Sequence, residues 1–226
     1  MIDAVSIPGW EPGQHVAVTG QTGSGKTTAL TNLVDIRPTE GLVILDSKID
    51  PAFNNMGEIV PELSVRKTAD PLSEGEIVVV RPKAIPTWDE WDNFILELHE
   101  RSSGLTIMVD EGYMLHDNGR CGPGLMAVLT RGRSRKQSLV LGCQRPAWVS
   151  RFCFTEAAHI LFMRLRHPDD RRIMAACSGE PELVDTICEK YRGQWIYPGG
   201  MVPFRVTPVA STEPETITET VGFRFI

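Results

Sequence analysis

No Cys-x-x-Cys pair occurs in the 226-residue sequence, and its five cysteines, Cys121, Cys143, Cys153, Cys177 and Cys188, are scattered and odd in number. The five histidines do not gather beside them along the chain. These absences argue against a disulfide framework and against structural zinc, and for a chain kept in a reducing compartment. No apolar run approaches the ~20 residues that a membrane helix requires. The opening stretch, MIDAVSIPGW, has neither a basic n-region nor an apolar h-region, so the expectation is a soluble chain with no membrane span and no cleaved signal. A general excess of positive charge is missing too. The net charge of −6 argues against a surface that is basic all round, but leaves local patches open. No internal repeat is apparent.

What is present suits one core: 42% of the residues are hydrophobic, and a single α/β domain is the simplest count. Runs at Gln14 to Thr19, Leu42 to Leu45, Glu76 to Val80, Leu105 to Val109, Ser138 to Gly142 and His159 to Met163 read as strands buried on both faces, as in a parallel sheet. Lys26 to Asp35, Thr87 to Arg101 and Pro123 to Arg133 read as helices between them. Thr87 is placed to N-cap the second helix, with Glu90 as its capping-box partner. Alternating strands and helices predict a mostly parallel, doubly wound sheet with helices on both faces. Residues 50–75 read as a loop with short excursions. Residues 1–208 form one expected domain, and the Thr/Glu-rich 209–226 an expected tail and interaction segment. In that tail, alternating Val221, Phe223 and Phe225 could extend a neighbour's sheet or form a last edge strand of their own. Trp10 reads as a packed core aromatic, with an adenine flank as the alternative.

The most specific motif follows the first strand. Gly20, Gln21, Thr22, Gly23, Ser24, Gly25, Lys26, Thr27 and Thr28 fit G-x-x-x-x-G-K-[ST], with a strand before and a helix after. The glycines let backbone N–H groups turn inward to phosphate oxygens, and the helix adds its positive N-terminal end. Lys26 is expected to reach the β and γ phosphates and Thr27 to ligate Mg²⁺. The run LTIMVDEG ends a strand on Asp110 and Glu111. There the aspartate can hold Mg²⁺ through water and the glutamate can polarise the attacking water. No Asn-Lys-x-Asp sequence is present to select guanine. ATP with Mg²⁺ is therefore the expected nucleotide.

Four stretches, VTGQTGSGKTT, LVILDSK, IMVDEG and GRSRKQSLVLGCQRP, resemble the FtsK/HerA superfamily of P-loop ATPases, and HILFMRLRHPDDRRIM resembles it more weakly in its strand and Asp-x-Arg pattern. The chain departs from many members at Gly112, where alanine is common. The resemblance implies an additional strand between the P-loop strand and the acidic strand. It also implies Gln144 as a γ-phosphate sensor and Arg133 as an arginine finger serving a neighbouring subunit, with Arg131 and Arg135 as rivals. Such a finger is worth ~10³-fold or more in rate and implies a ring, taken as a homohexamer.

Between Gly112 and Ser178 lie eleven basic residues against four acidic ones, a segregation that suits contact with backbone phosphates rather than bases. The loop HDNGRCGPG, with Arg120, is the candidate DNA contact, a plain flexible connection being the alternative. At this length the resemblance is to minimal viral genome-packaging ATPases. They would act in the host cytoplasm, with a virion association, by moving double-stranded DNA at a capsid vertex or portal protein. A plasmid or conjugation-type DNA-transfer ATPase, a P-loop small-molecule kinase and a non-motor nucleotide switch are the alternatives.

Overall fold

In the computed structural model, residues 9–39, 41–63, 76–179, 181–182, 184, 193–206 and 223–225 are described. The strands are β1 (His15–Thr19), β2 (Gly41–Leu45), β3 (Glu58–Val60), β4 (Ile77–Val80), β5 (Leu105–Val109), β6 (His116–Asp117), β7 (Arg120–Cys121), β8 (Ser138–Cys143), β9 (Ala157–Met163), β10 (Gly193–Tyr197), β11 (Gly200–Val206) and β12 (Phe223–Phe225). The helices are α1 (Lys26–Asp35), α2 (Trp88–Arg101), α3 (Pro123–Arg131), α4 (Phe152–Thr155) and α5 (Pro168–Ser178).

A ten-stranded sheet runs β12-β11-β10-β9-β1-β8-β5-β2-β4-β3. From β9 to β3 every pairing is parallel, and β10, β11 and β12 join antiparallel. The additional strand is β8, which pairs with β1 on one side and β5 on the other. It sets the P-loop strand and the acidic strand one strand apart, so a polar residue at its end falls between them.

The period of two explains the burial. Val16 and Val18 of β1, Leu42 and Ile44 of β2, Met108 of β5 and Val140 of β8 face the core under α1. Their neighbours Ala17, Val43, Leu45, Ile107 and Leu139 face the opposite core with α2 and α3. Each strand thus presents apolar side chains to both layers, as the uninterrupted aliphatic runs require. The capping box forms: Thr87 Oγ1 accepts from Glu90 N at 3.3 Å, and Thr87 N donates to Glu90 Oε2 at 2.7 Å. Helix α3 has no capping side chain at Gly122. Its first N–H groups are met from α2 instead, because Gly124 N and Leu125 N each donate to the buried Asp92 carboxylate at 2.8 Å.

Several expectations change. Helix α3 ends at Arg131 and tightens into a 3₁₀ turn over Gly132–Arg135, closed by Lys136 at φ 54°. The region after residue 50 contains a 3₁₀ turn, Pro51–Phe53, and the edge strand β3; residues 64–75 lie outside the described residues. Trp10 sits at the entry to β1, its Nε1 donating to Gln14 O at 3.0 Å and its ring against the α1-side core. A strand's length separates it from the P-loop, so it does not flank a nucleotide. Strand β12 pairs with β11 of its own sheet, while Val221 lies outside the described residues. The separation of histidine from cysteine is also overturned. His116, Cys121 and Cys153 converge, because the β6–β7 hairpin turns the chain back beside α4. No helix among the described residues is long and apolar enough to cross a membrane.

Candidate nucleotide site

Strand β1 delivers the chain to the glycine-rich loop at the C-terminal edge of the sheet. The loop is tied on both sides: Gly20 N donates to Cys143 O and Gln21 N to Arg164 O, each at 3.1 Å. At Gly20 a Cβ would lie 2.3 Å from Ser24 Oγ, and Gly23 and Gly25 have φ of 77° and 98°, so side chains are excluded by space at one position and by backbone conformation at the others. Gly25 begins α1 without a side-chain cap, leaving the first helical N–H groups open toward the loop. Ser24 Oγ and Gln21 Oε1 are buried with no hydrogen-bond partner among the described residues. That is unmet polar demand inside an otherwise satisfied loop, of the kind a ligand relieves. Thr22 and Gly23 form the exposed crest; Thr28 is half-buried in the first turn of α1.

Beneath the loop lie two acids and two lysines. Lys26, Asp110 and Glu111 are 6%, 1% and 2% exposed. Lys26 Nζ donates to both Asp110 Oδ1 and the Asp110 carbonyl at 2.8 Å. Lys48 pairs with Glu111 and stands 3.7 Å from Asp110 Oδ2. Burial works to lower the Lys48 pKa, but the hydrogen bond and charge of Glu111, with Asp110, outweigh it and raise it, so the lysine is held charged. Two adjacent buried carboxylates are thereby matched by two cations, the condition under which buried charge is tolerated. Lys48 had no assigned role in the sequence. The signal was its place in LVILDSK, three residues beyond a strand that neighbours β5.

Gln144 joins this group from the end of β8. Its Oε1 accepts from Thr22 Oγ1 at 3.1 Å, and its N–H points at Glu111 Oε1 at 3.4 Å. One residue therefore touches both the P-loop crest and the second acid. Thr27 Oγ1 donates to Asp50 Oδ2 at 3.5 Å, and Asp50 N in turn donates to the fully buried Asp46, which accepts from Arg81 Nε at 2.6 Å. A cleft of about 400 Å³ opens on the β9 side, bounded by Gln21, Thr22, Gln144, Arg145, Arg166 and His167. Buried Asp170 fixes that side: it accepts from Arg145 Nε at 2.7 Å and Ala147 N at 3.0 Å. This gives the Asp-x-Arg pattern a physical role, since it clamps the Gln-Arg-Pro element onto α5.

The arginines are not brought to this site. Arg133 is exposed beside Gly13, where a Cβ would lie 2.7 Å from Arg133 Cα, at the entry end of β1. The five residues of β1, at ~3.3 Å each, separate it from its own P-loop. Arg131 is exposed at the same end. Arg135 is occupied locally, its Nε donating to His99 O at 3.1 Å and its Nη2 to Glu100 O at 2.8 Å, where it caps the last carbonyls of α2.

Fold and site together have the form of a P-loop ATPase. No family model matches the chain. It is homologous to DNA packaging ATPase P9 of Enterobacteria phage PRD1, with 28% identity over 165 residues, covering 70% of this chain and 67% of that protein. Among solved structures, the genome packaging NTPase B204 from Sulfolobus turreted icosahedral virus 2 has the same fold at TM-score 0.68 and 16% identity, over 90% of this chain and 100% of that one. The conjugation coupling protein TcpA of pCW3 matches at TM-score 0.56 and 15% identity, over 85% of this chain and 59% of its own.

Proposed function

We propose that this chain is a viral genome-packaging ATPase that hydrolyses ATP to move double-stranded DNA into a capsid. The observation that carries this reading is the homology to P9, which extends over 70% of this chain rather than over a single short motif. Residues 1–208 are assigned to the ATPase unit and 209–226 to a tail that docks on a capsid vertex or portal protein.

In this reading residues 20–28 wrap the phosphates. Ser24 Oγ and the open N–H groups of α1 satisfy phosphate oxygens, and Lys26 exchanges part of its contact with Asp110 for the β and γ phosphates. The donor set fits a hard divalent cation, since Thr27 offers a hydroxyl and Asp110, through water, a carboxylate. Bound there, Mg²⁺ would neutralise charge on the phosphates. Glu111 accepts the proton of the attacking water once Lys48 yields its grip, and Gln144 reads the γ-phosphate because it already spans Thr22 and Glu111. Arg133 reaches a neighbouring subunit's nucleotide in a homohexameric ring. Its exposure and its distance from its own P-loop support action in trans. Arg120, exposed on the β6–β7 hairpin, contacts the DNA backbone. The chain acts in the host cytoplasm during virion assembly.

Phosphate release measured with and without double-stranded DNA, alongside the mass in solution with a non-hydrolysable nucleotide, tests this. Stimulation and a ring are expected; turnover that DNA leaves unchanged would point to a small-molecule kinase. Mixing Arg133→Ala with Lys26→Ala subunits is expected to restore part of the activity each lacks alone. No recovery at any ratio removes the trans role.

A further inference from the structure

His116, Cys121 and Cys153 stand apart from the nucleotide chemistry, yet their ligand atoms lie within 4.8 Å of one another. His116 Nε2 is 3.6 Å from both Cys121 Sγ and Cys153 Sγ, and the two sulfurs are 4.0 Å apart. Tetrahedral zinc, with Zn–S near 2.3 Å and Zn–N near 2.05 Å, requires edges of about 3.8 Å between sulfurs and about 3.6 Å between sulfur and nitrogen. The triangle matches those edges. Thiol hydrogen bonding requires no such equal spacing of both sulfurs about one Nε2 lone pair, whereas a shared metal ion does.

The other face of the imidazole fixes its tautomer. His116 Nδ1 is 2.7 Å from Gly112 O, so Nδ1 carries the proton and Nε2 turns its lone pair to the sulfurs. A ligating histidine that donates its second nitrogen to a backbone carbonyl is the usual support of a metal site. His116 and Cys153 are buried, and Cys121 is half-exposed, which leaves an entry path.

We propose that His116, Cys121 and Cys153 bind one zinc ion, which staples the β6–β7 hairpin to the segment between β8 and β9. Two thiolates and one imidazole select zinc over the hard magnesium of a nucleotide site. Three protein ligands leave one position for water. The staple joins two connections that both leave the site edge of the sheet: one carries Arg120 and begins at Gly112, next to Glu111, and the other follows Gln144. The metal therefore fixes the hairpin's base through the His116–Gly112 hydrogen bond.

The test is metal content of the full chain, expressed with zinc and purified under reducing conditions without chelator. About one zinc per chain is expected, falling below about a tenth in Cys153→Ser and His116→Ala and kept in His116→Cys, which restores a soft ligand. Cys177→Ser, outside the triangle, is expected to keep its zinc. If the ligand variants fail to fold, the chelator-stripped wild-type chain titrated with cobalt(II) gives the answer: the intense visible absorption of a four-coordinate thiolate site, saturating at one equivalent and bleached by zinc. A wild-type chain with no zinc and no cobalt–thiolate absorption overturns the proposal. So does peptide mapping that finds Cys121 and Cys153 joined as a disulfide in that purified protein.

Discussion

The two ends of the central strands solve opposite problems. At the C-terminal end, four charged groups, Lys26, Lys48, Asp110 and Glu111, are packed in reciprocal pairs, and Ser24 Oγ has no partner among the described residues. At the N-terminal end the buried side chains of His15, His99, Gln137 and Ser138 are paired within the fold. Leu139 N donates to His15 Nδ1 at 3.0 Å while His15 Nε2 lies 3.2 Å from Leu129 O, and Gly13 N donates to Ser138 Oγ at 3.0 Å. His99 and Gln137 close the same network at 2.6 Å, with Gln137 Nε2 donating to Ser102 O at 2.9 Å. A finished network fixes the strand entrances and α2–α3 against the sheet. An unfinished, charged one is ready to exchange partners with a ligand. In the proposed reading, stability belongs to one edge and chemistry to the other.

That contrast can be broken from either side. The largest effect belongs to Glu111→Gln, which is expected to lower ATP hydrolysis by about 10²- to 10⁴-fold with little change in thermal midpoint. A large fall in melting temperature with activity per folded molecule preserved would mean that the charged edge serves stability after all. Asp92→Ala, remote from the P-loop, should do the reverse. It strips both acceptors from the start of α3, and a loss of about 3 kcal/mol in denaturant unfolding is expected, with nucleotide affinity intact.

A smaller effect follows from acid. Burial, opposed by the hydrogen bond to Leu129, lowers the His15 pKa to about 4, against 6.5 for the unfolded chain. The unfolded chain therefore takes up its proton first, so this contribution is complete above pH 6.5 and is lost as pH falls toward 4. At pH 5 the loss from this residue is about 2 kcal/mol. Burial holds His159 at about 4 as well, and it acts in the same direction. Urea unfolding at pH 7 and pH 5 should show the loss, and His15→Gln should show less of it. An unchanged pH dependence in that variant would remove His15 from the account.

Much of this was legible in the chain. The six apolar runs, the P-loop and the Asp110–Glu111 strand end depend on spacing over a few residues, where local sterics and the period of two decide the outcome. The strands β10 and β11 were harder to read: Pro203 lies inside β11, and a proline in a run weakens the reading of a strand. Edge position resolves the conflict, because β11 pairs with only a three-residue strand on its outer side. Arg135 was a rival to Arg133, the preferred candidate by sequence. Its guanidinium proves to be occupied by the end of α2, a contact that no spacing of two residues could separate from exposure.

By itself the sequence determined the parallel α/β layer, the phosphate loop and the acids that face it, because glycine spacing and aliphatic runs act through nearest neighbours. Only the tertiary structure decided that Lys48 meets Glu111, that Asp92 caps a helix other than its own, and that His116 meets Cys121 and Cys153. Those partners come from different connections, and the order in which strands pair, with β8 between β1 and β5, sets which connections share an edge. Strand order is a product of the whole packed core, so the contacts made across it are too.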